Sequence, residues 1–189
     1  LVPVAGLEAL ATADVVVTSG GVSMGIHDVV KAVLRDAGEV EFVQLAMQPG
    51  KPQGLGVVRA ADGRAVPFFG LPGNPVSSYV SFELFVVPLL RRLMGREPAV
   101  APRVTARLGA PLRSPAGRRQ IARARARWVS EGPPHGPGWV VDPVAGQGSH
   151  FVADLAEADA LVVVPEEITA LPAGAEVETI LLDGSGRTA

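Results

Sequence analysis

Three short segments combine residue types that bind anions. Ser19–Gly25 holds three glycines and two serines directly after the β-branched run Asp14–Ser19, and Gly70–Ser77 holds two glycines and two prolines before a serine. The third segment, Pro49–Pro52, carries Lys51, one of two lysines in the chain. Glycines let a backbone approach an anion closely, while N–H groups, hydroxyls and an ammonium supply hydrogen bonds and positive charge. Oxyanion or phosphate binding is therefore the chemistry that these residues predict.

The glycine segment Ser19–Gly25 supports two interpretations. In an open α/β sheet, ligands bind at the carboxyl ends of strands, where this segment lies, and a following helix adds the positive end of its dipole. A tight turn that needs positive φ at glycine explains the same residues. Spacing alone leaves both interpretations open, because glycine-rich turns between strands and helices are common.

The second glycine segment, Gly70–Ser77, also has two explanations. Its prolines restrict the shape of the loop, and Ser77 lies in the first turn of a long helix predicted over Val76–Met94. Ordinary capping by Asn74 or Ser77, with Pro75 near the first helical position, accounts for the same pattern. Two rigid loops and Lys51 at one edge of a sheet nevertheless favour a shared ligand.

The basic residues divide into a lone lysine and a dense row of arginines. Lys51, held between a glycine and a proline, suits a phosphate or oxyanion, although an exposed loop lysine is the alternative. The strand predicted over 119–129 carries arginines at alternating positions, which should lie on one face. These are Arg119, Arg123, Arg125 and Arg127. A solvated strand face explains most of them, and nucleic-acid binding is not predicted, because aromatic residues are scarce and acidic residues balance the charge.

Composition excludes several classes of function. The formal net charge of −2 gives no global field for a polyanion, so any such site must be a local cluster. Without cysteine there is no disulfide, thiolate metal site or thiol nucleophile. The three histidines lack metal-ligand spacing, whereas Asp28 could hold a hydrated Mg²⁺ or cap the helix predicted after it. The apolar stretches are too short to span a bilayer and no signal peptide opens the chain, so the cytoplasm is the expected location.

The elements that position these loops fall into two regions. Strands, loops and helices alternate to about residue 95, which predicts an α/β domain with a largely parallel sheet. A proline-containing linker over 97–102 precedes short strands separated by Gly- and Pro-rich turns, which predicts a small barrel or sandwich. We expect a partial α/β domain over 1–97 and an all-β, barrel-like domain over 103–183. The chain lacks an initiator Met and reaches a buried-type strand at Asp14, so we expect a processed or longer polypeptide with more of the first domain.

Strand predictions come from short β-branched or alternating runs bounded by turn residues. In the first region they cover 14–19, 41–47, 55–59 and 65–69, with a turn at 61–64 between the last two. In the second region they cover 103–108, 119–129, 139–141, 160–164 and 176–182. Pro88 is expected to kink the long helix, and Gly95 is expected to end it.

Five motifs occur in a fixed order along the chain. They are Ser19–Asp28, Pro49–Pro52, Gly70–Ser77, Gly117–Arg123 and Gln147–His150. In this order they resemble the molybdopterin molybdenumtransferases, the MoeA and gephyrin E-domain family. The resemblance covers nearly the whole chain, and it implies a molybdopterin-binding α/β domain followed by that family's C-terminal β domain.

The resemblance implies an activity and a set of site residues. Molybdate would be inserted into the dithiolene of adenylylated molybdopterin, with release of AMP. Cofactor binding would fall to Ser19, Gly20, Gly21, Pro72, Gly73, Asn74 and Pro75. Molybdate or the adenylyl phosphate would be bound by Lys51, Ser77, Arg123 and Ser149. Mg²⁺ would lie near Asp28, and the full-length protein would be a homodimer.

Two other functions fit the same resemblance. A molybdopterin adenylyltransferase shares the α/β domain, but the Pro49–Pro52 loop and the trailing β domain argue against it. A noncatalytic scaffold is the second alternative, because the fold also serves in receptor clustering by gephyrin. The chain departs from the family at Gln48, where a lysine is frequent, so anion affinity would depend more on Lys51.

Overall fold

The structure is a computed structural model that describes residues 12–20, 38–130, 136–144 and 155–182. These residues form two compact units. The first contains the described residues up to Leu45 together with Gly50–Phe82, and the second contains Ala46–Pro49 together with those from Glu83 onward. The domain limits at 97 and 103 remain predictions. No helix within the described ranges is long and apolar enough to cross a membrane.

The described residues form twelve strands and three helical segments. The strands are β1 (Val16–Ser19), β2 (Gly38–Gln44), β3 (Met47–Gln48), β4 (Pro52–Arg59), β5 (Ala65–Leu71), β6 (Arg103–Leu108), β7 (Leu112–Arg113), β8 (Arg119–Val129), β9 (Gly138–Pro143), β10 (Ala160–Val164), β11 (Ala170–Leu171) and β12 (Glu176–Leu181). The helical segments are α1 (Pro75–Ser81), a π-helical segment (Phe82–Val86) and α2 (Val87–Leu93). The strands predicted over 103–108, 119–129 and 160–164 are confirmed with the same bounds.

The first unit contains a four-stranded sheet in the order β1-β5-β4-β2. β1 and β5 are parallel, whereas β5–β4 and β4–β2 are antiparallel. The prediction of a largely parallel sheet is therefore wrong for the strands described. The reason is local: a tight turn joins β4 to β5, with the Ala60 N–H donating to the Arg64 carbonyl at 2.9 Å, and such a hairpin forces antiparallel pairing.

Aliphatic and aromatic side chains form the core of this sheet. Val58 and Val66 lie on neighbouring strands of the hairpin and are fully buried with Phe68. Val40 and Phe42 of β2 pack against them. This packing fixes the hairpin and β2 in one register, so the loops at the ends of these strands have defined positions.

The long predicted helix is present but interrupted. Its two α-helical parts are separated by the π-helical segment, which ends just before Pro88 of α2. Proline has no N–H to donate, so regular helical bonding fails there. At the end of α2, Gly95 has φ +67°, and the Arg96 N–H donates to the Arg91 carbonyl at 2.9 Å. The Gly95 N–H also donates to the Arg92 carbonyl, at 3.0 Å. Together the two bonds form a Schellman-type helix end, as Gly95 predicts.

The second unit is a closed β-barrel. Its strand order is β10-β12-β6-β9-β8, and β8 also pairs with β10, which closes five strands into a ring. β3 adds to β8 in parallel, although its residues lie between β2 and β4 in the chain. The interior is largely aliphatic, with Ala122, Val141, Val162 and Leu108 almost inaccessible to solvent. The barrel-like prediction for this region is confirmed.

The pair β7–β11 is the part of the second unit that the sequence did not indicate. Each strand has two residues, and Leu112 lies opposite Leu171. Two residues are too few to give a period-2 pattern. Leu112 is buried and belongs to the barrel core, so the small pair covers part of that core.

Candidate functional site

Three chain segments meet at one edge of the four-stranded sheet. β1 and β5 are parallel, with Ser19 opposite Leu71, so the residues after both strands leave the sheet at the same edge. β4 is antiparallel to β5, with Gly54 opposite Gly70, so Lys51, which precedes β4, lies at this edge too. The prediction that the glycine loops and Lys51 share one edge is confirmed. We call this region the loop edge.

The two glycine loops contact each other through their backbones. The Gly20 N–H donates to the Leu71 carbonyl at 2.9 Å. A Cβ placed on Gly73 would lie 3.4 Å from the Gly20 Cα, and Gly20 has φ +87°, which disfavours other residues. The hydroxyls of Ser19 and Ser78 are 3.5 Å apart across the same junction. The turn interpretation is confirmed at Gly20, and anion binding by this segment stays a prediction.

The start of α1 is fixed by its own residues. Asn74 is the N-cap, and its Oδ1 accepts hydrogen bonds from the backbone N–H groups of Val76 and Ser77, at 3.1 and 3.3 Å. Pro75 is the first helical residue, and Pro72 is buried in the loop before it. The capping interpretation of Asn74 is confirmed. Ser77 is buried in the first turn, with its hydroxyl 3.5 Å from Asn74 Oδ1, so its side chain has a defined position.

Lys51 combines an exposed side chain with a tethered backbone. The Leu45 N–H donates to the Lys51 carbonyl at 2.7 Å. The preceding Gly50 has φ +101° and is buried. The ammonium is therefore solvent-accessible on a backbone with restricted freedom, which suits an anion that enters from solvent.

Gln53 and Ser81 are polar residues at the loop edge that the sequence did not single out. Both are fully buried, and Gln53 Nε2 donates to Ser81 Oγ at 2.6 Å and to the Gly50 carbonyl at 2.7 Å. A partial signal exists in the sequence, because Ser77 and Ser81 are four residues apart and must share one helix face. The partner Gln53 lies on another element, so the contact could not be inferred from spacing.

Arg123 lies in the barrel unit, on β8, and is 1% exposed. It has the same strand parity as Arg119, Arg125 and Arg127, yet those three are exposed. Both faces of β8 are buried over 120–124, whereas Arg119 precedes this stretch and Arg125 and Arg127 follow it. Arg123 is therefore not part of the solvated face that is expected for most of these arginines.

The three exposed arginines of β8 are paired with carboxylates. Arg119 Nη2 lies 3.1 Å from Glu166 Oε2, and Arg127 Nε lies 3.2 Å from Asp142 Oδ2. Arg125 Nη2 donates to Glu157 Oε2. The expectation that most of these arginines form a solvated face is confirmed, and their charge is locally neutralised.

Three predicted site residues, Gly21, Asp28 and Ser149, lie outside the described residues. In the ranges that are described, no group of three or more Asp, Glu, His or Cys side chains could hold a metal ion. The described part of the loop edge presents hydroxyls, an amide and an ammonium rather than carboxylates. These groups do not by themselves make the oxygen cage that Mg²⁺ prefers.

The described loop edge carries hydrogen-bond donors and a cation that suit an oxyanion. It offers one ammonium from Lys51 and hydroxyls from Ser19, Ser77 and Ser78. These donors match the oxygens of a tetrahedral dianion or a phosphate. A hydroxyl paired with a histidine or carboxylate base is absent from the described residues of this edge. Positioning and charge stabilisation are therefore the chemistry that it supports.

A mixed sheet whose loop edge carries hydrogen-bond donors suited to an oxyanion, together with a closed barrel, defines the class of protein, and known families refine it. Residues 4–92 match the family described as probable molybdopterin binding domain. Residues 105–182 match the MoeA C-terminal region (domain IV).

Individual relatives agree with the family matches. The chain is 41% identical over 177 residues to molybdopterin molybdenumtransferase 2 of Mycobacterium tuberculosis, covering 88% of this chain and 39% of the relative. It is 38% identical over 177 residues to molybdopterin molybdenumtransferase 1 of the same organism, covering 92% and 40%. The crystal structure of a molybdopterin biosynthesis MoeA protein from Pyrococcus horikoshii superimposes with a TM-score of 0.70 at 36% identity, covering 94% of this chain and 39% of that protein.

The chain therefore belongs to the molybdopterin molybdenumtransferase family, which the order of its five motifs had indicated. It spans about two fifths of the length of the curated relatives that it matches.

Proposed function

We propose that this chain acts in molybdenum cofactor biosynthesis, where it binds the oxyanions of a molybdenum-insertion reaction. Molybdate is inserted into adenylylated molybdopterin, and AMP is released. The observation that carries this proposal is the loop edge, where two glycine loops contact each other beside three serine hydroxyls and Lys51. The names of the relatives from Mycobacterium tuberculosis support the same reaction.

The loop edge would have two tasks in this reaction. Ser19 and Gly20 would bind the nucleotide and pterin phosphates, together with Gly21 and the loop Pro72–Pro75. Lys51 and Ser77 would bind molybdate or the adenylyl phosphate. Their donors would stabilise negative charge on the bound oxygens without forming a covalent intermediate, because the described edge lacks an activated nucleophile.

Arg123 and Ser149 complete the proposed set of residues that bind molybdate or the adenylyl phosphate, because both match motifs of the family. Arg123 is 1% exposed, so its guanidinium is fixed by its surroundings. A role in the reaction for Arg123 is tested by Arg123→Lys, which keeps the charge. A role for Ser149 is tested by Ser149→Ala.

A direct assay tests the proposed reaction. The purified protein is incubated with adenylylated molybdopterin, and AMP release is measured with and without molybdate. We expect AMP release that depends on molybdate. Synthesis of adenylylated molybdopterin from ATP would indicate an adenylyltransferase, and failure to bind either molybdate or AMP would indicate a scaffold.

Three further features belong to the proposal. Mg²⁺ would be bound with the help of Asp28, so Asp28→Asn should raise the Mg²⁺ concentration that gives half-maximal AMP release. The full-length protein would be a homodimer, which sedimentation of that protein measures. The reaction would take place in the cytoplasm, which fractionation of cells that produce the protein tests.

A further inference from the structure

Gln53 is a fully buried amide that joins two elements of the first unit. It lies on β4 with no exposed surface. Its Nε2 donates to the Gly50 carbonyl at 2.7 Å and to Ser81 Oγ at 2.6 Å. One acceptor belongs to the backbone before Lys51, and the other belongs to α1. A single side chain therefore bridges the lysine loop and the helix.

The orientation of this amide follows from its partners. A backbone carbonyl accepts but cannot donate, so the NH₂ group of Gln53 must face Gly50. The amide oxygen then has no hydrogen-bond partner among the residues that the structure describes. Burying an unpaired polar atom is unfavourable, and an apolar side chain of the same size would avoid this cost. The bridge is therefore explained better by a geometric task than by stability.

The two anchors of Gln53 lie beside residues of the proposed site. Gly50 immediately precedes Lys51, whose own carbonyl is held at 2.7 Å by the Leu45 N–H. Ser81 lies one helical turn after Ser77 on the same buried face of α1. The amide thus connects the backbone that carries the ammonium with the helix face that carries the Ser77 hydroxyl.

We propose that Gln53 is a positioning residue that sets the place of Lys51 relative to Ser77 and thereby tunes the affinity for the oxyanion. This inference rests on the proposed function for the roles of Lys51 and Ser77. An ammonium on a loop that has lost one anchor samples more positions, so more conformational freedom is lost on binding and the affinity for the oxyanion falls.

The first test measures the loop without reference to activity. Gln53→Met keeps the volume and removes both donated bonds, one of which holds the Gly50 carbonyl. Loss of that one bond should make the amide of Leu45 exchange its hydrogen about tenfold faster. Thr179→Val is the matched control, because it removes a hydroxyl that is fully buried and unpartnered among the described residues of the barrel. Unchanged exchange at Leu45 in Gln53→Met would overturn the proposal, whatever the activity of the protein.

The second test separates binding from turnover. In the AMP-release assay, Gln53→Met should raise the molybdate KM about tenfold while kcat changes less than about threefold. Ser81→Ala, which keeps the Gly50 contact, should raise KM by about threefold.

The two tests fail in different ways. Faster exchange at Leu45 with an unchanged molybdate KM would refute the tuning role and leave the proposed function intact. Absence of molybdate-dependent AMP release in the unsubstituted protein would refute the proposed function, and with it the link to molybdate, while the exchange result still decides whether Gln53 anchors the loop.

Discussion

The loop edge and the exposed face of β8 differ in how their polar and charged side chains are placed. At the loop edge, Gln53, Ser77 and Ser81 are buried and Lys51 is exposed. On the barrel, the arginines of β8 are mostly exposed and paired with carboxylates, while the interior is aliphatic. Three polar residues of the barrel unit, Gln120, Arg123 and Thr179, are nevertheless buried, and Arg123 is the charged one among them. The contrast teaches that density of charge does not by itself indicate an anion site, because the arginines of β8 are neutralised by carboxylates.

The largest effect on stability is expected for a substitution of Arg123. Arg123→Met should lower the free energy of unfolding by about 3 kcal/mol, because a guanidinium buried to this degree requires hydrogen-bond partners that its loss leaves unpaired. Denaturant titration measures the change. Arg123→Lys keeps a cation and should lose less stability. Equal losses in both variants would show that the planar guanidinium, rather than its charge, is what the barrel requires.

Lys51→Met should have a large effect on activity and almost none on stability. Loss of the ammonium should reduce kcat/KM for AMP release by about 100-fold, since a donor aimed at developing charge is worth this much. The free energy of unfolding should change by less than about 0.5 kcal/mol, because the side chain is exposed. Arg59→Met removes another exposed cation of the same unit and serves as the control. Similar activity losses in both variants would contradict a specific role for Lys51.

Asn74→Ala tests whether the loop edge depends on its helix cap. The Oδ1 of Asn74 accepts from two backbone N–H groups, so its loss should cost about 1 kcal/mol of unfolding free energy. Thermal unfolding measures this change, and Asn74→Asp should restore most of the stability, because an aspartate also caps helices. A stability equal to that of the unsubstituted protein would mean that the cap is redundant.

The smallest effect is expected on the exposed face of β8. Arg127→Gln removes an ion pair with Asp142 whose two side chains are 58% and 45% exposed. Such pairs contribute about 0.5 kcal/mol, and salt screens them. Denaturant titration at low and high salt should show this small difference shrinking with salt, and AMP release should not change. A clear loss of activity would extend the functional region onto the barrel surface and weaken the contrast.

The sequence predicted the barrel better than the sheet. Residues 119–129 and 160–164 alternate or are β-branched between turn residues, so local pattern alone sets the bounds of β8 and β10. Whether two strands pair in parallel depends on which strands become neighbours, and local pattern does not give this. The alternation of strands and helices predicted parallel pairing, although the turn at 61–64 favours an antiparallel hairpin. The edge shared by Lys51 and the glycine loops could be predicted because each adjoins a strand end. The contact of Gln53 with Ser81 could not, because it joins residues 28 positions apart across two elements.

The strand β8 also has a consequence for the order of folding. It pairs with β9 nearby in the chain, with β10 farther along, and with β3 before the long helix. Contacts between distant residues form late, because closing a longer loop costs more conformational entropy. Among the pairings of β8, we therefore expect that with β9 to form first and that with β3 to form last. Met47→Ala should therefore speed unfolding while leaving the refolding rate nearly unchanged, which stopped-flow kinetics would measure.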